Sequence, residues 1–231
     1  MTSEVKQQKG SESKQRDLRT YDVFWLDGTE YKRLLEKDGK PLSEKQAREE
    51  QAKLDREIEK QKHESESDRR KRQEKERREP EDERQVRREV TQAYNFTLLG
   101  EDIVNGRSCW KIQAEPKPEY RPVHKDAKFL PKMHGTVWID KDNYEWARVD
   151  AESLDTISAG LGLLRVGKGF RFVLEQQYVN NEIWAPVNIQ IRATAKALFL
   201  VGGNFDVRIS FKDYKKYSVN STVTAAGEVS Q

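Results

Sequence analysis

A chain of 231 residues has room for one substantial domain with appendages. Its 35% hydrophobic and 36% charged residues average two unlike parts, because most apolar and aromatic residues follow Tyr94 while charge is concentrated between Ser43 and Val90. The net charge of +3, against 43 basic and 40 acidic residues, is no basic face and implies no nucleic-acid partner; the single cysteine, Cys109, excludes an internal disulfide.

No stretch approaches the roughly 18 apolar residues of a membrane-spanning helix. The opening MTSEVKQQKGSESKQRD lacks the apolar core of a signal peptide, so a cytoplasmic chain is expected if Met1 is the true start. Residues 1–19 read as a flexible polar terminus, with Glu4 to Gln8 as the possible tail of a truncated strand. Over 20–42, Tyr21 to Leu26 and Tyr31 to Leu35 flank Asp27-Gly28, a dipeptide suited to the positive φ angles of a tight turn, and predict a β-hairpin.

Residues 43–93 read as a charged helical insertion. Ser43 is the expected N-cap with Gln46 as its capping-box partner. Opposite charges four apart, such as Glu44 and Arg48 or Glu74 and Arg78, support a helix to Glu79, but Ala47, Leu54 and Ile58 are its sole apolar stripe. Beyond His63 it is expected to project into solvent, with Pro80 ending it. A second helix from Glu81 to Ala93 carries Val86, Val90 and Ala93 at spacings that suit packing on a sheet.

From 94 to 217 the apolar period changes to two, which predicts an antiparallel meander of seven strands, followed by a flexible terminus over 218–231. Tyr94, Phe96 and Leu98 alternate before the Asn105-Gly106 turn, and Trp110, Ile112 and Ala114 after it. The sixth strand alternates most clearly, with Val187, Ile189, Ile191, Ala193, Ala195 and Ala197 on one side. The expected class is α+β: a curved antiparallel sheet, an unclosed half-barrel packed over helix. In a meander successive turns alternate between the ends of the sheet. Short polar turns at Asn105-Gly106, Asp140 to Asn143 and Asn180-Asn181 therefore share one end. The connections 116–132, 154–168 and 198–203 share the other, and they hold Phe129, Leu161, Leu163, Leu164, Val166, Phe199 and Leu200. Apolar connections at one end read either as the mouth of a cavity or lipid-facing surface, or as a plug that closes the open sheet.

Catalytic signatures are missing. Gly162 to Gly169 nearly matches a phosphate-binding loop, yet Gly169 stands where Ser or Thr should hold magnesium, and a strand is expected where the anion site needs a helix. His124 and His134 have no metal-ligand spacing to each other or to Cys109, and Ser158, His134 and Asp155 lack a nucleophile elbow. No metal or cofactor is expected. The run Arg69 to Arg72 resembles a nucleic-acid tract, but Ser43 to Val90 holds sixteen basic and sixteen acidic residues and no aromatic on which a base could stack.

The pieces Tyr21-Asp-Val-Phe-Trp-Leu-Asp-Gly28, Leu34 to Ser43, Phe96-Thr-Leu-Leu-Gly-Glu101, Asn105-Gly-Arg107, Ala114-Glu-Pro-Lys117 and Val137-Trp-Ile-Asp-Lys141 resemble bacterial envelope proteins similar to the outer-membrane lipoprotein carriers (LolA-like). The resemblance implies an unclosed barrel over helices, without catalysis, that holds the acyl chains of a lipid or lipoprotein in the periplasm or cell envelope. The acyl-chain site would then comprise Phe129, Leu161, Leu163, Leu164, Val166, Ile189, Ile191, Phe199, Leu200, Phe205 and Val207, with contact to a membrane surface. Such proteins begin with a signal peptide and an opening helix and strand, so the chain reads as truncated at its N-terminus. The long charged helix is foreign to the carriers and suggests an alternative, a scaffold that recruits a protein partner through it.

Overall fold

The computed structural model describes residues 1–9, 13–26, 29–159, 164–197 and 200–215. The strands are β1 (Thr2–Lys9), β2 (Ser13–Leu26), β3 (Thr29–Lys37), β4 (Lys40–Pro41), β5 (Tyr94–Val104), β6 (Arg107–Pro116), β7 (Met133–Asp140), β8 (Trp146–Ser153), β9 (Ile157–Ala159), β10 (Leu164–Val166), β11 (Arg171–Val179), β12 (Ile183–Ala197) and β13 (Leu200–Ser210). Helices α1 (Glu44–Lys62) and α2 (Glu66–Ala93) separate β4 from β5. The strand order is β4-β3-β2-β1-β13-β12-β11-β8-β7-β6-β5, antiparallel at each pairing and unclosed, with β10 bridging β9 and β12. The class is α+β, as expected, and the seven strands of the predicted meander are β5, β6, β7, β8, β11, β12 and β13.

Turn chemistry accounts for the register. Asn105 and Gly106 adopt φ of 48° and 79°, and Asn180 and Asn181 adopt 53° and 56°. These left-handed angles suit glycine and asparagine, and their hand matches the twist of paired strands. The β2–β3 hairpin pairs Leu26 with Thr29, while its predicted turn residues Asp27 and Gly28 lie outside the described residues. The predicted flexible terminus 218–231 also lies outside them.

Three expectations are corrected. Residues 1–19 are not a flexible appendage: β1 pairs with β13 on one side and β2 on the other, so the N-terminal strands extend the meander edge. Met1 and Tyr21 exchange main-chain hydrogen bonds of 2.9 and 2.7 Å at the end of that pairing. No apolar alternation marks β1, which is recruited by the open edge of β13 through backbone hydrogen bonds that any sequence offers.

The helical insertion also divides elsewhere than at Pro80, through which α2 runs without a break. The boundary falls at residues 63–65, where Ser65 accepts the Asp68 N–H at 3.1 Å and Arg72 reaches back to Glu64 at 2.9 Å. A Ser with Asp three residues on satisfies free donors at the start of a helix, and this cap sets the boundary. The second half of α2 is held by tertiary packing at Val86, Val90 and Ala93, which outweighs the cost of one interior proline. Ser43 does cap α1, with reciprocal bonds of 3.3 and 3.1 Å to Gln46.

Thirdly, the helices cover the sheet only in part. Helix α1 packs chiefly on β3, and α2 chiefly on the connection from β6 to β7. There Ala93, Tyr94, Ala114, Tyr120, Ala127 and Leu130 form a buried cluster against which Val86 and Val90 pack.

Candidate functional site

Register carries one apolar row across the sheet: Phe96, Ala114, Gly135, Ala151, Phe172, Ile191 and Val207 are successive cross-strand partners. The next row runs Leu98, Ile112, Val137, Val149, Leu174, Ile189 and Ile209. Residues paired directly across an antiparallel sheet point to the same face, so both rows lie on one side. Gly135 sits where a Cβ would come within 2.3 Å of the Asp150 carbonyl oxygen, which explains glycine at the centre of the first row.

Strands β11, β12 and β13 have neighbours on both sides, yet Phe172, Leu174, Ile189, Ile191, Phe205, Val207 and Ile209 are all only half-buried. Lateral pairing is complete there, so the remaining exposure comes from the face itself. The opposite face is polar and internally paired: Arg171 meets Asp150 at 2.7 Å, Arg148 meets Glu175 at 3.2 Å, and Arg192 and Arg208 each meet Asp206 at 3.3 Å. The hydrogen bond from Arg171 holds the Asp150 carboxyl below its usual range against the opposing pull of burial. The described residues therefore present one apolar face with an incomplete cover, and an opposite face on which paired charges stand beside a buried cluster of Val104, Cys109, Trp138 and Ala147.

Of the residues expected to form the acyl-chain site, Ile189, Ile191, Phe205 and Val207 come together on this apolar face. Ile191 pairs with Val207, and Phe205 with Ala193. Val166 pairs with Ala195, and Leu164 and Leu200 both take register positions opposite Ala197. Phe129 is 39% exposed and belongs to the connection over β6, not to the β12–β13 rows. Leu161, Leu163 and Phe199 lie outside the described residues.

The connection 154–168 is no open loop over its described part. It contains β9 and β10, and its exit turn is tied down by buried Ser153, which accepts the Phe170 N–H at 3.0 Å. Gly167 donates to the Thr194 carbonyl at 2.8 Å and Gly169 takes φ of 80°. Gly167 and Gly169 thus serve a tight turn between β10 and β11, and no helix follows to complete an anion site. The hypothetical triad also disperses, since His134 faces Glu115 at 3.5 Å and Asp155 faces Lys132 at 3.7 Å.

Two carboxylates are buried, which no local pattern in the sequence signals. Asp140, at the end of β7, is fully buried and takes two bonds of 2.6 and 2.9 Å from Arg107. The Arg107 guanidinium lies 5.5 and 5.6 Å from the ring centres of Tyr178 and Trp184, and the Asp142 and Asn143 N–H groups complete the carboxylate shell. A buried charge persists only when paired and hydrogen-bonded, and this knot closes the end with the short turns. Asn-Gly-Arg and Trp-Ile-Asp signalled the turns, but their pairing is a tertiary fact.

The second is Glu89, on the face of α2 turned to the β6–β7 connection. Burial pushes its carboxyl pKa up, but hydrogen bonds from the Tyr120 hydroxyl, the Val123 N–H (2.9 Å) and the His124 N–H (2.6 Å) outweigh that and hold it low. Burial pushes the Tyr120 phenol up to about 12, with the Glu89 hydrogen bond adding to it. Nearby, Tyr94 donates to the Leu130 carbonyl at 2.7 Å and Lys117 N–H donates to the Ala93 carbonyl at 2.8 Å. These bonds fasten the connection and α2 together as the cover of one end of the sheet.

No protein-family profile and no curated protein sequence matches this chain. Two solved structures are similar to it at low identity. One is from Vibrio parahaemolyticus and is described as an outer membrane lipoprotein-sorting protein domain; it is 10% identical with a TM-score of 0.29, over 89% of this chain and 80% of the other. The second, a DUF1329 family protein from Desulfovibrio piger ATCC 29098, is 12% identical with a TM-score of 0.27, over 89% of this chain and 81% of the other.

Proposed function

We propose that this chain is a non-catalytic binding protein of the bacterial cell envelope that holds acyl chains of a lipid or lipoprotein against the apolar face of β11, β12 and β13. The observation that carries this reading is the half-burial of Phe172, Ile189, Ile191, Phe205 and Val207 in strands already paired on both sides. Apolar surface left in contact with water is a standing source of binding free energy, about 25 cal/mol for each Å² removed from water. An acyl chain laid across these rows would complete burial that the described helices leave undone. Among the described residues no helix is long and apolar enough to cross a membrane.

The test is uptake of a fluorescent fatty acid by the full chain. Wild type should take up the probe saturably. Ile191→Asn with Val207→Asn should weaken uptake at least tenfold while the circular dichroism spectrum and cooperative melting persist. Uptake unchanged by the double substitution would refute the site, and no uptake by wild type would refute the binding reading.

The alternative, a scaffold that recruits a protein through the charged insertion, is favoured by the exposure of most described residues of α1 and of the first half of α2. It becomes the better reading if wild type takes up no lipid probe.

A further inference from the structure

We propose that Asp82, His124 and Asp126 form a binding site for a first-row divalent cation, of the Zn²⁺, Mn²⁺ or Co²⁺ kind, which staples helix α2 to the β6–β7 connection. One ligand atom from each residue lies within 4.8 Å of the other two. His124 Nε2 is 3.4 Å from Asp82 Oδ1, and His124 Nδ1 is 3.8 Å from Asp126 Oδ2. Two ligands on one tetrahedral ion, each at about 2.0 to 2.2 Å from it, stand about 3.4 Å apart. The Asp82–His124 spacing already has that value through Nε2; Nδ1 accepts the Asp126 main-chain N–H at 3.3 Å, so the exposed Asp126 carboxylate has to swing from the Nδ1 side towards Nε2 to close the third corner.

The elements hold these groups in place. Asp82 precedes Val86 by four residues and Glu89 by seven, so all three lie on the face of α2 that meets the connection. Glu89 grips the main-chain N–H groups of Val123 and His124, and Ala127, just past Asp126, is fully buried. His124 itself has a side chain only 15% exposed. The ligand-bearing backbone is thus fastened by contacts that do not depend on the ion, as a preorganised site requires.

Charge supplies the second argument. Among the described residues neither Asp82 nor Asp126 has a Lys or Arg partner; both converge on His124, whose main-chain N–H is already held by a third carboxylate. A neutral imidazole leaves the two aspartates repelling each other, whereas a dication cancels both charges. One imidazole nitrogen with two carboxylate oxygens, open on the solvent side, suits a borderline first-row ion better than magnesium or calcium, which take oxygen ligands.

The site was hidden in the sequence because its ligands come from elements 42 residues apart, and neither histidine has a second histidine or the cysteine at ligand spacing. The proposal is independent of lipid binding. Its test is calorimetric titration of the EDTA-treated full chain with zinc chloride and, separately, magnesium chloride. Wild type should bind one zinc ion per chain, with a rise in melting temperature, and should not bind magnesium measurably. Asp82→Asn, Asp126→Asn and His124→Ala should each weaken zinc binding tenfold or more, while His63→Ala, at an exposed position elsewhere, should leave it unchanged. Should His124→Ala fail to melt cooperatively without metal, Asp126→Asn decides, since that side chain is 58% exposed. Absence of saturable zinc binding in wild type, or zinc binding retained in folded Asp82→Asn and Asp126→Asn, would overturn the proposal.

Discussion

A single cross-strand row runs from Phe96, 46% exposed on the edge strand β5, through Ala114, Gly135, Ala151, Phe172, Ile191 and Val207, and its stretch under the β6–β7 connection differs from its stretch on β12 and β13. At β6, Ala114 is 7% exposed beneath α2 and the β6–β7 connection; at β12 and β13, Ile191 and Val207 are only partly buried although they are larger and more apolar. Residue type would predict the reverse. Burial on a sheet face is decided by the layer above it, and here that layer is one helix end and one connection fastened by Glu89. The covered end is a small buried core whose Tyr94, Tyr120 and Glu89 side chains are hydrogen-bonded. The open end has the composition of a core without its second half, which is why it is the candidate binding surface.

Removing the fastening should have the largest effect on this contrast. Glu89→Ala leaves the Val123 and His124 N–H groups and the Tyr120 hydroxyl without their acceptor, which should cost about 3 kcal/mol. Urea unfolding measures this, and a lower midpoint should accompany new exposure of Tyr94 and Tyr120. A loss under 1 kcal/mol would mean that the cover does not rest on this carboxylate.

Acid should repeat part of that loss in the wild type. The folded-state pKa of Glu89 lies below its ordinary value of about 4.5, so the folded state binds its proton less readily than the unfolded state does. The stability it contributes is therefore complete above about pH 4.5 and declines as pH falls toward and through the folded-state pKa. Asp140, held low first by the Arg107 hydrogen bond, adds a contribution of the same sign. Melting temperature followed from pH 7 to pH 3 should fall in this acid range, and Glu89→Gln should flatten the fall. An equal fall in the variant would assign the acid response to other carboxylates.

The smallest effect belongs to the open end. Ile191→Ala removes side-chain contacts that water already shares, so it should cost about 1 kcal/mol, below the 2 to 5 kcal/mol usual for a sealed core. Urea unfolding again reads the difference, with wild type measured alongside. A cost above 3 kcal/mol would show that this face is sealed in solution and that the contrast between the two ends is false.

Much of the architecture was legible in local chemistry. Alternation across Ile189, Ile191 and Ala193 marked a half-apolar strand, Asn105-Gly106 and Asn180-Asn181 marked turns that need positive φ, and Ser43 with Gln46 marked a helix start. The break at Ser65 differs from the one Pro80 predicts because a capping serine with an aspartate three residues on starts a helix, while tertiary packing carries that helix through the proline. Strand β1 was legible only as the strand tail Glu4 to Gln8, because a strand recruited by an open edge needs no apolar pattern of its own. In the candidate site, the Ile189 and Ile191 row and its partners Phe205 and Val207 followed from period-two reading, while Phe129 was grouped with them by turn order alone.

By itself the sequence determined the seven main strands, the start of α1 and the sidedness of the strands, since capping, turn angles and alternation act over a few residues. Only the tertiary structure decided that β1 joins β13, that Arg107 meets Asp140, that Glu89 grips the connection beside His124, and that the cover stops short of β11 to β13. Those outcomes depend on which groups meet across tens of residues, where burial turns a hydrogen bond or an ion pair from optional into obligatory, and no local pattern encodes that meeting.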